Sequence, residues 1–417
     1  MRPLDPARVR PQFPALARVV DGRPAVFLDG PGGTQVPQPV IDAVAAHLRD
    51  ATSNTGGAFA TSRATDQVIR DARAALADLL HAPSAAQVRF GANMTQLTFG
   101  FSRSVGATLG PGDEVVVTTL DHEANVSPWT LLAERGVTVR RLDIHLDDCT
   151  LDLDDLDRVL NSRTRLVAVG YASNAVGTVN DVATICAGAR RVGAISFIDA
   201  VHYAPHGSID VEALGCDALV CSPYKFFGPH LGTLWVRDEV LSGLPAFKVR
   251  PAEDPLELGT LNHEGLAGAV AAVEYLAAVG REQLELERRS GGGRRQALEA
   301  ALAAIAGHEA ALVRRLLEGL ARIPGVRVHG ITDPAQLHHR VPTVAITVAA
   351  RTPRAVAEAL GSQGIFVWDG DFYAQALIER LGLLASGGVV RLGLVHYNTA
   401  EEVDRTLAAL ERIAAGR

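Results

Sequence analysis

Between about residue 85 and residue 240 the chain repeats one pattern, a short apolar run followed by a stretch of helical periodicity. The runs are EVVVTTL (114–120), RLVAVGYAS (165–173), AISFIDA (194–200), DALVCSP (217–223) and GTLWVR (232–237). They are rich in Val, Leu and Ile with little polar alternation, so each fits a strand buried on both faces. A mostly parallel sheet covered by helices produces such strands, which predicts an α/β domain. Ile69, Ala72, Leu76 and Leu79 recur at helical spacing, as do Val403, Leu407 and Leu410. Both sets predict ordinary packing helices.

At 417 residues and 47% hydrophobic, the chain exceeds what one core usually holds, so two domains are expected. From about 262 to 322 the pattern is nearly all helical, interrupted by RRSGGGRRQ (288–296), whose three glycines mark a loop. VPTVAITVAA and GGVVRLGLVHYN then read as strands around the helical TPRAVAEALGSQ, a compact α+β arrangement. The expected division is an N-terminal arm (1–20) contributing to the small domain, a large domain (21–285) and a small C-terminal domain (286–417).

The net charge of -7 and the absence of any Lys/Arg run argue against a nucleic-acid or anionic-membrane partner. No stretch of 18 apolar residues occurs, and MRPLDPARVRPQFPALARVV is broken by prolines and charges, unlike a signal peptide. A cytoplasmic protein is expected. Cys149, Cys186, Cys216 and Cys221 lack CxxC spacing, so neither a metal site nor a disulfide framework is expected.

Only two lysines, Lys225 and Lys248, stand among 40 basic residues. Composition bias toward Ala and Arg can remove lysines at permissive positions, but not one whose chemistry arginine is unable to perform. Lys225 lies in CSPYKFFGPH after one apolar run, and Asp199 ends the run before it. In a parallel sheet both reach the C-terminal edge, where ligands bind. A lysine can form a Schiff base with an aldehyde and a carboxylate can keep a pyridinium protonated, which together are the requirements of pyridoxal phosphate (PLP). Arginine effectively never loses its proton and cannot replace that lysine. RFGANMTQLTFG (89–100) adds a plausible anion cradle at a helix N-terminus. None of these features defines a site alone.

The order FLDGPGGTQVP, GANMTQLTF, DHEANVSPW, YASNAVGTV, FIDAVHYAPH, CSPYKFFGPH, ELGTLNHE and VVRLGLVHYNTAEEVD resembles the cysteine desulfurase-like branch of the class V aminotransferases. These are homodimeric PLP enzymes of fold type I, and the resemblance covers nearly the whole chain. It implies a large domain with a mainly parallel seven-stranded sheet and a smaller α+β C-terminal domain. Lys225 would hold PLP and serve as the proton-transferring base. Asp199 would pair with the pyridine nitrogen, His122 would stack on the ring, and Asn174 and His202 would lie near the ring hydroxyl oxygen. Phosphate would be held by Ala92, Asn93, Ser222 and, across a dimer interface, Thr260, with Tyr224 beside it. Many relatives carry Thr, His and Gln where this chain has Asn93, Tyr224 and His202. Arg391 would clamp the substrate carboxylate bidentately.

Two departures bear on the reaction. Desulfurases pass sulfur to a loop cysteine, but GIFVWDGDFYAQALIERLGLLASGGVVR (364–391) contains none, and the aligned position falls on or beside Tyr373. Trp368 stands where desulfurases have a substrate-binding arginine, implying a substrate bulkier than cysteine. Asp369, Asp371, Phe372 and Tyr373 would line the same mouth, with Asn54 and Phe59 supplied by the other subunit. Glu123 and Glu257 read as solvated or supporting carboxylates. The expected activity is on an L-amino acid or cysteine conjugate through a Schiff base and a Cα carbanion, with β-elimination favoured. Transamination, decarboxylation-linked deamination and epimerisation are alternatives, and a non-catalytic PLP-fold protein is a distant one.

Overall fold

The computed structural model describes residues 4–249, 254, 256–289 and 292–416. A seven-stranded sheet is built from β1 (Val88–Gly91), β2 (Glu114–Thr118), β3 (Thr138–Leu142), β4 (Thr164–Gly170), β5 (Ile195–Asp199), β6 (Ala218–Cys221) and β7 (Gly232–Val236). Its order is β1-β7-β6-β5-β4-β2-β3, and only β7 runs against its two neighbours. The apolar runs became β2 and β4 to β7. The two strands outside those runs, β1 and β3, lie at the sheet edges. In β3, Arg140 reaches back to the buried Glu114, so a polar edge strand carries no apolar run.

Eight helices matter for the site and its support: α1 (Gln38–Asp50), α2 (Ala60–Leu79), α3 (Met94–Gly106), α4 (Val182–Arg191), α5 (His263–Leu286), α6 (Arg294–Leu320), α7 (Pro353–Gly361) and α8 (Ala400–Ala414). The sheet is covered on both faces, as its strand composition requires. Val115, Val117 and Ala168 pack with Leu97 and Phe101 of α3, whereas Val116, Val169 and Leu219 pack with Leu76 of α2, Ile185 of α4 and Leu276 of α5. Successive side chains of β2 therefore enter opposite cores.

A second sheet, β8 (Val326–His329), β9 (Thr343–Val348), β10 (Trp368–Gly370) and β11 (Val389–Gly393), is antiparallel in the order β8-β9-β11-β10. Its core joins Val344, Ile346, Val390 and Leu392 to Leu360 of α7 and Leu410 of α8. We retain the division 1–20, 21–285 and 286–417 as a proposal, although the cores cross it: Ala345, Leu377, Ile378, Val389 and Tyr397 of the small unit belong to the first core. Leu298 and Ile305 of α6 belong to the first core and Leu316 and Leu320 to the second, so that helix ties the units together. Val26 and Leu28 enter the second core. The arm touches both units: Leu4, Val9 and Phe13 join the first core, where the Phe13 ring meets Phe227, Tyr275 and Tyr397 edge-on, while Arg10 donates to the Tyr397 carbonyl at 2.6 Å and pairs with Glu402 at 2.8 Å. The glycine-rich stretch leads into α6 at Arg294, while Ser290 and Gly291 lie outside the described residues.

All four cysteines are free and buried. Among the described residues no cluster of three or more His, Cys, Asp or Glu side chains could hold a metal ion. No described helix is long and apolar enough to cross a membrane.

Candidate active site

The C-terminal ends of β2, β4, β5 and β6 open into a cavity of about 280 Å³, closed on its far side by β10 and β11. Lys225, Asp199, His122, Asn174, His202, Tyr224, Arg391, Trp368, Phe372 and Tyr373 all line it. Residues as far apart in sequence as His122 and Arg391 thus converge on one cleft.

After β6 the chain passes through Ser222 into a tight 3-10 turn, Pro223–Lys225, which turns the lysine inward. Lys225 is buried, its Nζ donates to the Pro31 carbonyl, and it sits 4.8 Å from the Tyr224 ring centroid. Burial, with the nearby Arg391 charge, lowers its pKa to about 7, only partly offset by Asp199. This amine is therefore available as a nucleophile near neutrality. Asp199, the last residue of β5, accepts the Val201 N–H at 2.9 Å, and burial raises its pKa to about 6.

His122 follows β2. Its Nδ1 accepts the Ala124 N–H at 2.9 Å, so in the neutral ring Nε2 carries the hydrogen. Burial, then Lys225 and Arg391, depress its pKa to about 4 and keep it neutral. His202 is buried against Thr343 Oγ1 at 2.9 Å, and burial likewise holds its pKa well below the usual value. Its neighbour His206 pairs instead with Glu309 at 2.8 Å, away from the cleft.

Arg391 lies mid-strand in β11, so the small unit delivers the positive charge. Its Nη1 donates to the Asn174 carbonyl at 2.8 Å, and its guanidinium lies 3.9 Å from the Phe372 ring centroid. Burial lowers its pKa to about 9 while Tyr224 and Asp29 resist the shift, so it remains charged at neutral pH. Opposite it in register stands Trp368, whose Nε1 donates to the Asp29 carbonyl at 3.2 Å. The indole lies so close to Gly32 that a Cβ there would collide with it.

Phe372 and Tyr373 both adopt φ +57, a left-handed conformation that costs on the order of 1–3 kcal/mol per non-glycine residue. Three bonds hold them there: Asn174 Nδ2 to the Phe372 carbonyl at 2.9 Å, Tyr373 N–H to Asp371 at 2.9 Å, and Glu123 N–H to the Tyr373 carbonyl at 2.7 Å. The Tyr373 ring centroid consequently sits 5.3 Å from that of His122.

The remaining expected residues are less central within this chain. Asn93 caps α3 by accepting the Gln96 N–H at 2.8 Å, and the Ala92 N–H is engaged by Gln96 Oε1 at 3.2 Å. Asn54, Phe59 and Thr260 are exposed and do not line their own chain's cavity. Glu257 binds Arg73 and the Phe90 N–H, and Glu123 accepts from Ser127, as supporting carboxylates would.

Sequence reasoning missed two acids and a threonine. Asp121 heads the DHEANV motif; it accepts from Gly170 N–H at 2.8 Å and Asn125 Nδ2 at 2.9 Å, and burial, with Asp199 adding repulsion, raises its pKa to about 7. Asp29 in FLDGPGG is raised to about 6 by burial. Thr95, in the first turn of α3, lines the cavity. Their positions inside quoted motifs were the available signal.

Ser222 Oγ, Asn174 Oδ1 and Arg391 Nε are buried without a hydrogen-bond partner among the described residues. Buried polar atoms are rarely left so, and these three come from separate elements around Lys225. An unpartnered hydroxyl at the turn after β6, His122 and Asp199 lining one cavity, and a buried near-neutral lysine fit PLP. Fold and site together define a fold type I PLP enzyme. The chain belongs to the class-V aminotransferase family, whose model matches residues 26–290 and 295–406. It is 31% identical over 426 aligned positions to the cysteine desulfurase of Pectobacterium carotovorum subsp. carotovorum (strain PC1), with 97% of each chain covered. The cysteine desulfurase of Dickeya dadantii (strain 3937) is 32% identical over 431 positions, covering 99% of this chain and 97% of that one. Among solved structures, the apo cysteine desulfurase from Thermococcus onnurineus NA1 superposes with a TM-score of 0.86 at 25% identity, covering 100% of this chain and 99% of its own.

Proposed function

We propose that this PLP-dependent enzyme acts on an S-substituted L-cysteine, cleaving the bond from Cβ to sulfur by β-elimination. The observation that carries the reading is the position of the thiols: all four cysteines are buried, and none lies between residues 364 and 391. An enzyme that hands sulfur to its own cysteine needs an accessible thiolate beside the substrate. Elimination needs none.

PLP, when bound, supplies an electron sink for negative charge developing at Cα. Lys225 would hold it, Asp199 would face its ring nitrogen, His122 its ring face, and Ser222 with Asn93 and Ala92 its phosphate. Asp199, ionised above about pH 6, favours a protonated ring nitrogen. Arg391 binds the substrate carboxylate through its unpartnered edge and so fixes which Cα bond faces Lys225. Lys225 Nζ takes the Cα proton. The Cβ–S electron pair leaves with sulfur, and the remaining fragment hydrolyses to a keto acid and ammonia. Trp368 and Phe372 provide apolar surface for the sulfur substituent. We further propose a homodimer, in which Asn54, Phe59 and Thr260 of one subunit complete the other's site.

The test is incubation of the PLP-loaded enzyme with a panel of S-alkyl and S-aryl L-cysteines, measuring thiol, keto acid and ammonia. Equimolar release of all three is expected. Keto acid formed without thiol release would point to transamination and sink the elimination reading.

A further inference from the structure

Resting on that elimination reading, we infer that Tyr373 is the acid that protonates the departing sulfur. Cleavage places the bonding pair on sulfur, and a poor leaving group needs a proton as the bond breaks. The proton from Tyr373 Oη goes to sulfur, giving the thiol, and the phenolate regains a proton from solvent, so no further reactant is required.

The cleft offers few other donors for this step. Lys225 becomes a donor once it has taken the Cα proton, but its Nζ is engaged by the Pro31 carbonyl. His122 faces the cofactor ring, and His202 is tied to Thr343. Tyr224 is stacked on His230 at 4.9 Å, and burial pushes its hydroxyl pKa up to about 12. Tyr373 differs on each count. It lines the mouth between His122 and Trp368, yet is 70% exposed and therefore in contact with the solvent that would reprotonate it. Among the described residues no hydrogen bond involves its hydroxyl, whereas its backbone is held at both N–H and carbonyl. Two successive left-handed residues are maintained to present this ring. That expense is hard to reconcile with a side chain that merely covers the surface.

The experiment compares Tyr373→Phe with wild type on S-alkyl and S-aryl L-cysteines, whose thiolates are poor and good leaving groups. The phenylalanine retains the ring beside His122 and removes only the acid. Thiol release from S-alkyl substrates is expected to fall roughly 100-fold or more, and from S-aryl substrates by less than about threefold, with PLP absorbance unchanged. Equal slowing of both substrate classes, or of neither, in a wild-type enzyme that eliminates would overturn the role of Tyr373 alone. A wild-type enzyme that releases no thiol from either class would instead overturn the elimination reading on which it rests.

Discussion

Cys221→Ala separates elimination from sulfur transfer to the protein, because Cys221 is the thiol nearest in sequence to Lys225. It ends β6 fully buried, and burial raises its pKa to about 12, with Asp199 adding to the shift. At pH 7 its thiolate fraction is then about 1 part in 100,000, against a few per cent for a free thiol, a disadvantage of roughly 3,000-fold before access is considered. Replacement by alanine removes one buried sulfur and should cost about 1 kcal/mol of stability. Thiol release from S-substituted cysteines should stay within about threefold of wild type, and the folded protein should show no fast-reacting thiol toward an aromatic disulfide reagent. Cys149, Cys186 and Cys216 should be equally silent, since burial raises the pKa of each. A loss of activity beyond about 100-fold in a folded, PLP-loaded variant would refute the reasoning, because the sulfur would then have to be chemically engaged.

Ser222→Ala removes a hydroxyl that has no partner among the described residues, so the apoprotein should melt no lower than wild type while PLP binds about 10-fold or more weaker by absorbance titration. Unchanged affinity would remove Ser222 from the phosphate site. The rate at which apoprotein captures PLP should rise with pH and level off above a midpoint near 7, following the depressed Lys225 pKa; a rise continuing toward pH 10 would contradict it. The linked stability has a definite sign. Between about pH 7 and the ordinary lysine value of 10.5 the unfolded chain binds more protons at this residue, so its contribution is unfavourable below pH 7 and recovers as pH rises. Trp368→Ala should raise KM for S-aryl substrates about 10-fold or more through lost apolar contact while leaving small S-alkyl substrates within about threefold; parallel changes in both would argue that the indole only supports Gly32 and Asp29.

The legibility of this chain follows from which physical signals are local. β2 and β4 to β7 are buried on both faces, so their apolar runs announce themselves in sequence, whereas β1 alternates buried with half-buried positions and β3 carries the consecutive Arg140 and Arg141. Lys225 and Asp199 were legible because strand ends and residue chemistry together assign them to one edge of the sheet, and their convergence required only that the strands be neighbours, as β5 and β6 are. Asp121 was not, although it stands beside His122. A carboxylate acquires a pKa near 7 from complete burial and a second acid across two strands, and neither is a property of the motif that contains it. The arm's packing was illegible for a related reason: Phe13 meets the edges of Phe227, Tyr275 and Tyr397, which come from distant parts of the chain. Asn54, Phe59 and Thr260 mark the remaining boundary. In the proposed dimer a second subunit would cover them, so sedimentation of the fully active enzyme as a monomer would remove all three from the site at once.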